Sequence, residues 1–142
     1  MGRNSDGLLV SLALREQLLQ LATLVSKPKG ATLFRRGDAC AGVFLICSGR
    51  VCLSLQPVHP SFPPRVLGAG CLVGLPAAVA GSEYSLTAEV IEPAELACVS
   101  RDALSDCLRQ NSELCLEVMN ILSHEISATR AAIKQGTVRP RN

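Results

Sequence analysis

The chain has 142 residues, 48% of them hydrophobic and 18% charged, and its formal net charge at pH 7 is +2. This length favours one domain with its own core, and the apolar content excludes a disordered chain. The weak charge and the few aromatic residues, one Tyr, three Phe and no Trp, argue against a DNA-binding or membrane-binding surface. No segment is long and apolar enough to span a bilayer, and the N-terminus lacks the pattern of a secretory signal. We therefore expect a cytoplasmic protein.

The first 30 residues predict one helix, and the spacing of apolar residues and glycines changes after residue 30. Residues 8–25 are rich in Leu and favour a helix that Ser11 caps, and Pro28 and Gly30 follow it. From about residue 30 to 99, short apolar runs are separated by recurrent glycines. Short strands with frequent turn signals are typical of a β-sandwich or barrel.

The strands of this β segment are predicted from its turn residues. Residues 43–47 and 50–55 favour a hairpin that turns through Ser48 and Gly49. Residues 57–64 contain four prolines and His59, which predicts a loop. Residues 86–99 favour two further strands that Glu92 and Pro93 separate.

Two helices are predicted after the strands. Ser100 is a suitable cap for a short helix over 101–109, and a longer helix begins at Asn111 or Ser112 and runs to about Gln135. The long helix carries two stripes at helical spacing. The first stripe consists of Leu114, Val118, Ile121, Glu125, Ala128 and Ala132. The second stripe consists of Cys115, Met119, Leu122, Ile126, Thr129 and Ile133.

One stripe is enough for a helix that lies on a barrel, so the second face predicts a further contact. We predict a homodimer because the small side chains of Ala128 and Ala132 permit close approach. The predicted interface consists of Leu114, Val118, Ile121, Ala128 and Ala132. The alternative is a helix lodged between parts of one monomer.

Catalytic and metal-binding residues are not recognisable in the sequence. The seven cysteines include no C-x-x-C pair, and most lie in apolar runs. We interpret them as small core residues in a reducing compartment rather than as a metal or redox site. His59 and His124 are isolated, and no Ser-His-Asp arrangement is present. We therefore predict a protein that is not an enzyme and has no metal or cofactor.

The order of helix, glycine-punctuated β-roll, short helix and long helix resembles the cyclic nucleotide-binding domain family, the sensor half of catabolite-activator-type bacterial regulators. The resemblance rests on KGATLFRRGD at 29–38, VFLICSGRV at 43–51, GCLVG at 70–74 and EPAEL at 92–96. It implies a mainly β fold, a jelly-roll-like double-stranded β-helix with an N-terminal helix and a long C-terminal helix. The whole chain, residues 1–142, is expected to form this single domain. The regulators carry a DNA-binding helix-turn-helix after the long helix, whereas this chain is expected to have none.

The resemblance also marks a phosphate-binding cassette that departs from the family pattern. Members that bind cyclic nucleotides place a Glu after the cassette glycine to hold the ribose, where this chain has Leu75. They place an Arg before Ser or Thr to hold the phosphate, where this chain has Tyr84. We therefore expect weak or no binding of cyclic AMP and cyclic GMP in the usual way. The candidate ligand-binding residues are Gly74, Leu75, Pro76, Ala77, Tyr84, Ser85, Thr87, Thr129 and Arg130.

The residues around this cassette leave two functions open. The first is a small-molecule sensor whose ligand changes how the long helix packs on the roll, and an apolar cassette suits a neutral or mostly apolar ligand. The second is a protein-interaction or dimerisation module with a vestigial pocket.

Overall fold

A six-stranded antiparallel sheet forms the centre of the computed structural model, which describes residues 7–55 and 63–136, with side chains as far as residue 127. Its two long strands are β3 (Gly42–Ser54) and β6 (Thr87–Ser100), which pair with each other. The short strands are β1 (Thr23–Lys27) and β2 (Thr32–Phe34) on β6, and β4 (Arg65–Leu67) and β5 (Leu72–Val73) on β3. The helices are α1 (Leu12–Leu21), α2 (Leu75–Ala80), α3 (Arg101–Gln110) and α4 (Ser112–Gly136). The predicted mainly β fold with flanking helices is confirmed.

The N-terminal helix is shorter than predicted because a strand follows it. Ser11 caps α1 as predicted, since its hydroxyl accepts a hydrogen bond from the N–H of Leu14 at 3.1 Å. The predicted helix over 8–25 is wrong after residue 21, where the chain enters β1 and pairs with β6 along the whole of β1. The β-branched Thr23 and Val25 suit this strand, and the sheet pairing outweighs the Leu-rich composition.

The predicted hairpin through Ser48 and Gly49 is wrong, because β3 continues through both residues. Both halves of β3 pair with β6, and the register shifts on either side of Gly49. Gly49 does have a positive φ of 88°, but the residue lies in a bulge and not in a turn. A Cβ at Gly49 would lie 2.3 Å from the carbonyl oxygen of Pro93, so the approach of β6 also requires glycine here.

The predicted break at Glu92 and Pro93 is wrong for the same reason. Between the pairs that Ser48 and Arg50 make, Pro93 and Ala94 of β6 together face the single residue Gly49. A proline is tolerated at such a bulge, because its missing N–H has no ladder partner to serve. Residues 57–62 of the predicted loop, with His59, lie outside the described residues.

The two C-terminal helices begin where the sequence predicted. The hydroxyl of Ser100 accepts a hydrogen bond from the N–H of Ala103 at 3.1 Å and caps α3. The side-chain oxygen of Asn111 accepts one from the N–H of Leu114, also at 3.1 Å, so α4 begins at Ser112. Each cap satisfies an N–H group that the first helical turn leaves without a partner.

Two clusters of buried side chains hold the fold together. The inner cluster lies between the strands of the roll and includes Phe34, Ile46, Val51, Tyr84, Val90 and Leu96. The outer cluster joins the sheet to the helices and includes Leu14 and Leu18 of α1, Leu104 of α3 and Leu75 of α2. The outer cluster thereby fixes the helices on one side of the roll.

The first stripe of α4 belongs to this outer cluster, which corrects the predicted dimer interface. Leu114, Val118 and Ile121 are at most 5% exposed and pack within their own chain, so they are not available to a partner. The prediction failed because each of two apolar stripes can cover the roll, and their spacing does not distinguish them. The side chains of Ala128 and Ala132 lie outside the described residues.

The opposite face of α4 is the exposed one. Its exposed apolar side chains are Leu116, Met119 and Ile126, at 70%, 49% and 43% of their full accessibility. Two of these, Met119 and Ile126, belong to the predicted second stripe. We call Leu116, Met119 and Ile126 the outer face of α4.

Candidate functional site

The cassette predicted from the sequence forms a short helix at the end of β5. Gly74 precedes α2 with a φ of 88°, and Pro76 lies in the first turn, where a missing N–H costs nothing. A Cβ at Gly74 would lie 3.0 Å from the ring of Tyr84, so the close packing and the positive φ both require glycine. At the other end, the Nε–H of Arg101 donates to the carbonyl oxygen of Ala78 at 3.1 Å and holds α2 against α3.

The side chain of Leu75 lies on the side of α2 that packs against the other helices. It is 1% exposed and packs in the outer cluster with the helices. Leu75, a predicted ligand-binding residue, therefore stabilises the contact of α2 with the other helices.

Tyr84 is turned into the roll. Its ring stacks on Phe34, with centroids 3.7 Å apart and planes 8° apart, and its hydroxyl donates to the carbonyl oxygen of Gly42 at 2.8 Å. Burial, together with a hydrogen bond to Cys40, raises the pKa of Tyr84 to about 12. The phenol therefore stays neutral at physiological pH and supplies no positive charge to a phosphate.

The predicted site residues fall into three groups by their position relative to one cavity. Gly74, Pro76, Ala77, Tyr84 and Ser85 line one cavity. Thr87 is 4% exposed, and its hydroxyl oxygen accepts a hydrogen bond from the N–H of Arg36 at 3.0 Å. Like Leu75, it does not border the cavity. The side chains of Thr129 and Arg130 lie outside the described residues.

The cavity lies between the cassette, β4 and α4. Its wall is completed by residues that were not among the predicted site residues: Phe34, Leu53, Arg65, Leu72, Leu86 and Glu125. The volume of the cavity is about 50 Å³. A cavity of about 150 Å³ is known to hold benzene, so this one must widen before it can hold a ring.

A buried ion pair joins the two sides of this cavity. The Nη1 of Arg65 donates to Oε1 of Glu125 at 2.8 Å, and its Nη2 donates to Oε2 at 3.3 Å. Both side chains are only 9% exposed. Glu125 was detectable in the sequence as the one charged residue in an otherwise apolar stripe, since a buried charge requires a partner. Arg65 was not, because it lies 60 residues away along the chain.

The cysteines are less buried than predicted. Cys71 is buried, whereas Cys40, Cys47, Cys52, Cys98, Cys107 and Cys115 are half-buried, and none of the seven is in a disulfide. Burial raises the pKa of the Cys52, Cys98 and Cys107 thiols, which reduces the fraction of reactive thiolate. Among the described residues, no three His, Cys, Asp or Glu side chains are placed to hold a metal ion.

Comparison of the sequence with known protein families shows which family the chain belongs to. The sequence profile of the cyclic nucleotide-binding domain matches residues 24–111, more than half of the chain. The chain belongs to the cyclic nucleotide-binding domain family. The members are regulatory domains, and the match covers the β-roll, the cassette and α3. No curated protein sequence matches this chain significantly.

Solved structures share the fold at low sequence identity. A protein of a cyclic-GMP-dependent signalling pathway that regulates bacterial phytopathogenesis is 15% identical, with a TM-score of 0.76 over 85% of this chain and 97% of its own. The cyclic-di-GMP-responsive global regulator of Xanthomonas campestris is 17% identical, with a TM-score of 0.73 over 87% and 61% of the two chains. The catabolite activator protein of Thermus thermophilus is 21% identical, with a TM-score of 0.72 over 88% and 59%.

The chain thus spans about three fifths of the length of the latter two regulators. Within the described part of the chain, no helix is long and apolar enough to cross a membrane.

Proposed function

We propose that this domain is a small-molecule sensor whose ligand occupies the cavity between α2, β4 and α4 and is not a cyclic nucleotide bound in the usual way. One observation carries the proposal: the same cavity touches the cassette through Pro76 and Ala77 and the long helix through Glu125. A ligand that widens this cavity must therefore change how α4 packs on the roll. The proposed role is regulatory rather than catalytic, and the proposed location is the cytoplasm.

The expected weakness toward cyclic nucleotides follows from Leu75 and Tyr84. The family resemblance assigns a carboxylate and a guanidinium to these positions, and each charge-assisted hydrogen bond contributes about 1.5–3 kcal/mol. Losing both reduces the binding free energy by roughly 3–6 kcal/mol, or about 10²- to 10⁴-fold in affinity. Leu75 packs in the outer cluster and the hydroxyl of Tyr84 is bonded to Gly42, which supports this expectation.

Thermal unfolding against a ligand panel tests the sensor function. Cyclic AMP, cyclic GMP, small carboxylic acids and their neutral amides are added one at a time. A ligand at 100 times its dissociation constant raises the free energy of unfolding by about 2.7 kcal/mol. Ser85→Trp should abolish the shift, because exposed Ser85 borders the cavity and an indole there blocks it. Ser82→Trp is the matched control, since Ser82 is exposed but does not border the cavity.

A second candidate, an interaction module with a vestigial pocket, is favoured by the size of the cavity. The volume of about 50 Å³ is about a third of that of a known cavity that binds benzene, and the Tyr84 ring forms part of its wall. The absence of a thermal shift across the whole panel, for the wild type and for both Trp variants, would favour this candidate.

We also propose a homodimer, through the outer face of α4 and not through the face first predicted. Leu116, Met119 and Ile126 expose large apolar side chains on one helix, and a second copy is the simplest cover for them. Either function requires such a surface, since a sensor has to transmit the movement of α4 to a partner.

A further inference from the structure

The ion pair between Arg65 and Glu125 is the charged part of an otherwise largely apolar cavity. Around it lie the side chains of Phe34, Leu53 and Leu86. The two parallel hydrogen bonds use the planar fork of the guanidinium, which matches a carboxylate or a phosphate equally well. Glu125 therefore occupies the position of an anionic group bound in this cavity.

We propose that the ligand of this cavity is an organic anion with an apolar body, whose anionic group replaces the carboxylate of Glu125 on Arg65. This inference rests on the proposed sensor function and specifies its ligand class. It places the binding cation on β4 rather than at the cassette position that Tyr84 occupies. The apolar body lies against Phe34, Leu53 and Leu86, and the carboxylate or phosphate accepts the two hydrogen bonds of Arg65.

The backbone decides which member of the pair is displaced. Arg65 lies opposite Leu53 in the ladder between β4 and β3, so it is fixed to the roll that forms most of the cavity wall. Glu125 lies on α4, a helix outside the sheet that is held against the roll by packed side chains of the outer cluster and by this pair. When the cavity opens, Arg65 stays with the cavity and Glu125 leaves with the helix.

Binding and helix movement are then the same event. The cavity is too small for a ring while Glu125 is in place, and withdrawal of its side chain provides both the space and the two Arg65 hydrogen bonds that its carboxylate accepts. The ligand competes with a carboxylate of the protein itself, so its affinity is lowered by the stability of the ion pair. Removal of the charge on Glu125 should therefore tighten the binding of anions and leave neutral ligands unaffected.

Isothermal titration calorimetry on the full chain tests this inference with three probes of similar shape. Benzoate and phenyl phosphate are the anions and distinguish a carboxylate from a phosphate ligand, and benzamide is the neutral control. Glu125→Gln keeps the size of the side chain but removes its charge. We expect at least one anion to bind Glu125→Gln about tenfold more tightly than the wild type, and benzamide to bind both proteins equally.

Arg65→Gln/Glu125→Gln supplies the decisive comparison, because two amides avoid leaving one charge buried alone. Circular dichroism confirms that this variant is folded, and we expect it to lose anion binding. Anion binding that is unchanged in this double variant would overturn the inference.

Benzamide binding as tight as anion binding would also overturn the inference but leave the sensor function standing. If no probe binds any variant, including Glu125→Ala, which enlarges the cavity, the inference is overturned. The ligand panel then decides separately on the proposed function.

Discussion

Tyr84 shows how one side chain changes the chemistry of a site. Where the family resemblance has a cation, this chain has a phenol that stacks on Phe34 and donates a hydrogen bond to the backbone of Gly42. The residue thereby contributes to the core of the roll instead of binding an anion. Arg65, on β4, brings a positive charge to the same cavity.

The titration of Tyr84 can be followed directly, because it is the one tyrosine of the chain and there is no tryptophan. Burial raises its pKa to about 12, so we expect the near-ultraviolet absorbance of the phenolate to develop near pH 12 in the folded protein. In denaturant the transition should return to about pH 10. A phenolate signal near pH 10 in the folded protein would contradict the buried position.

The same shift makes stability depend on pH in a defined direction. The folded state retains the proton where the unfolded chain loses it, so the contribution of Tyr84 is complete below about pH 10 and is lost as the pH rises toward 12. The slope from this residue is at most about 1.4 kcal/mol per pH unit. Tyr84→Phe should remove that part of the slope in urea unfolding measured across this range.

At the scale of elements, the long strands β3 and β6 depend on one bulge. Gly49 combines a positive φ with a contact so close that a Cβ would lie 2.3 Å from the carbonyl oxygen of Pro93. Gly37 has a similar φ of 93°, but nothing lies within 4 Å of the position of its Cβ. A substitution at Gly37 therefore introduces backbone strain alone, whereas a substitution at Gly49 introduces backbone strain together with steric overlap.

Alanine at these two positions should have different effects. Gly37→Ala introduces strain alone and should cost about 1–2 kcal/mol. Gly49→Ala adds overlap with the backbone of β6 and should exceed 4 kcal/mol or prevent folding. Urea unfolding of both variants measures the difference. Equal costs would mean that β6 moves away at little expense.

The exposed outer face of α4 leads to a prediction about the oligomeric state of the protein. We expect light scattering to give twice the chain mass of 15.0 kDa for the wild type, and a monomer for Met119→Glu, which places a charge within the exposed apolar face. Asn120→Glu is the matched control, because Asn120 is also exposed but lies beside that face, toward Glu113. A wild-type protein that remains monomeric at high micromolar concentration would refute the dimer.

At the scale of the whole molecule, no disulfide should be needed for stability. The seven cysteines are unpaired and spread over β3, β6, α3, α4 and two connecting segments. Reductant should therefore leave the melting temperature unchanged, and thiol titration of the unfolded chain should find seven free groups. A loss of about 2–4 kcal/mol on reduction would instead indicate a bridge.

The sequence predicted the caps and the cassette helix because each of these depends on residues close together in the chain, whereas the roll was predicted from recurrent glycines and the family resemblance. Ser11, Ser100 and Pro76 act within a few residues of their own positions, and the structure places them as expected. Gly49 was misassigned because a turn and a bulge both require a positive φ, and only the position of β6 distinguishes them.

The ion pair of the cavity was missed for a related reason. Arg65 and Glu125 belong to distant segments, and their contact exists only once α4 lies on the roll. In the same way, both stripes of α4 are apolar, so the sequence alone did not show which of them faces the sheet. The burial of Leu114 and Val118 shows that it is the first stripe.

The pairing of β3 with β6 also determines when this protein can fold during its synthesis. Gly42 pairs with Ser100 and Thr23 pairs with Cys98, so the central ladder closes only when the end of β6 has been made. Until then the apolar β3 has no partner on that side, and nascent chains that stall before residue 87 expose it to other chains. Distant pairing of this kind places folding in the slow range of milliseconds to seconds. During synthesis β3 therefore leaves the ribosome before the strand that pairs with it along most of its length.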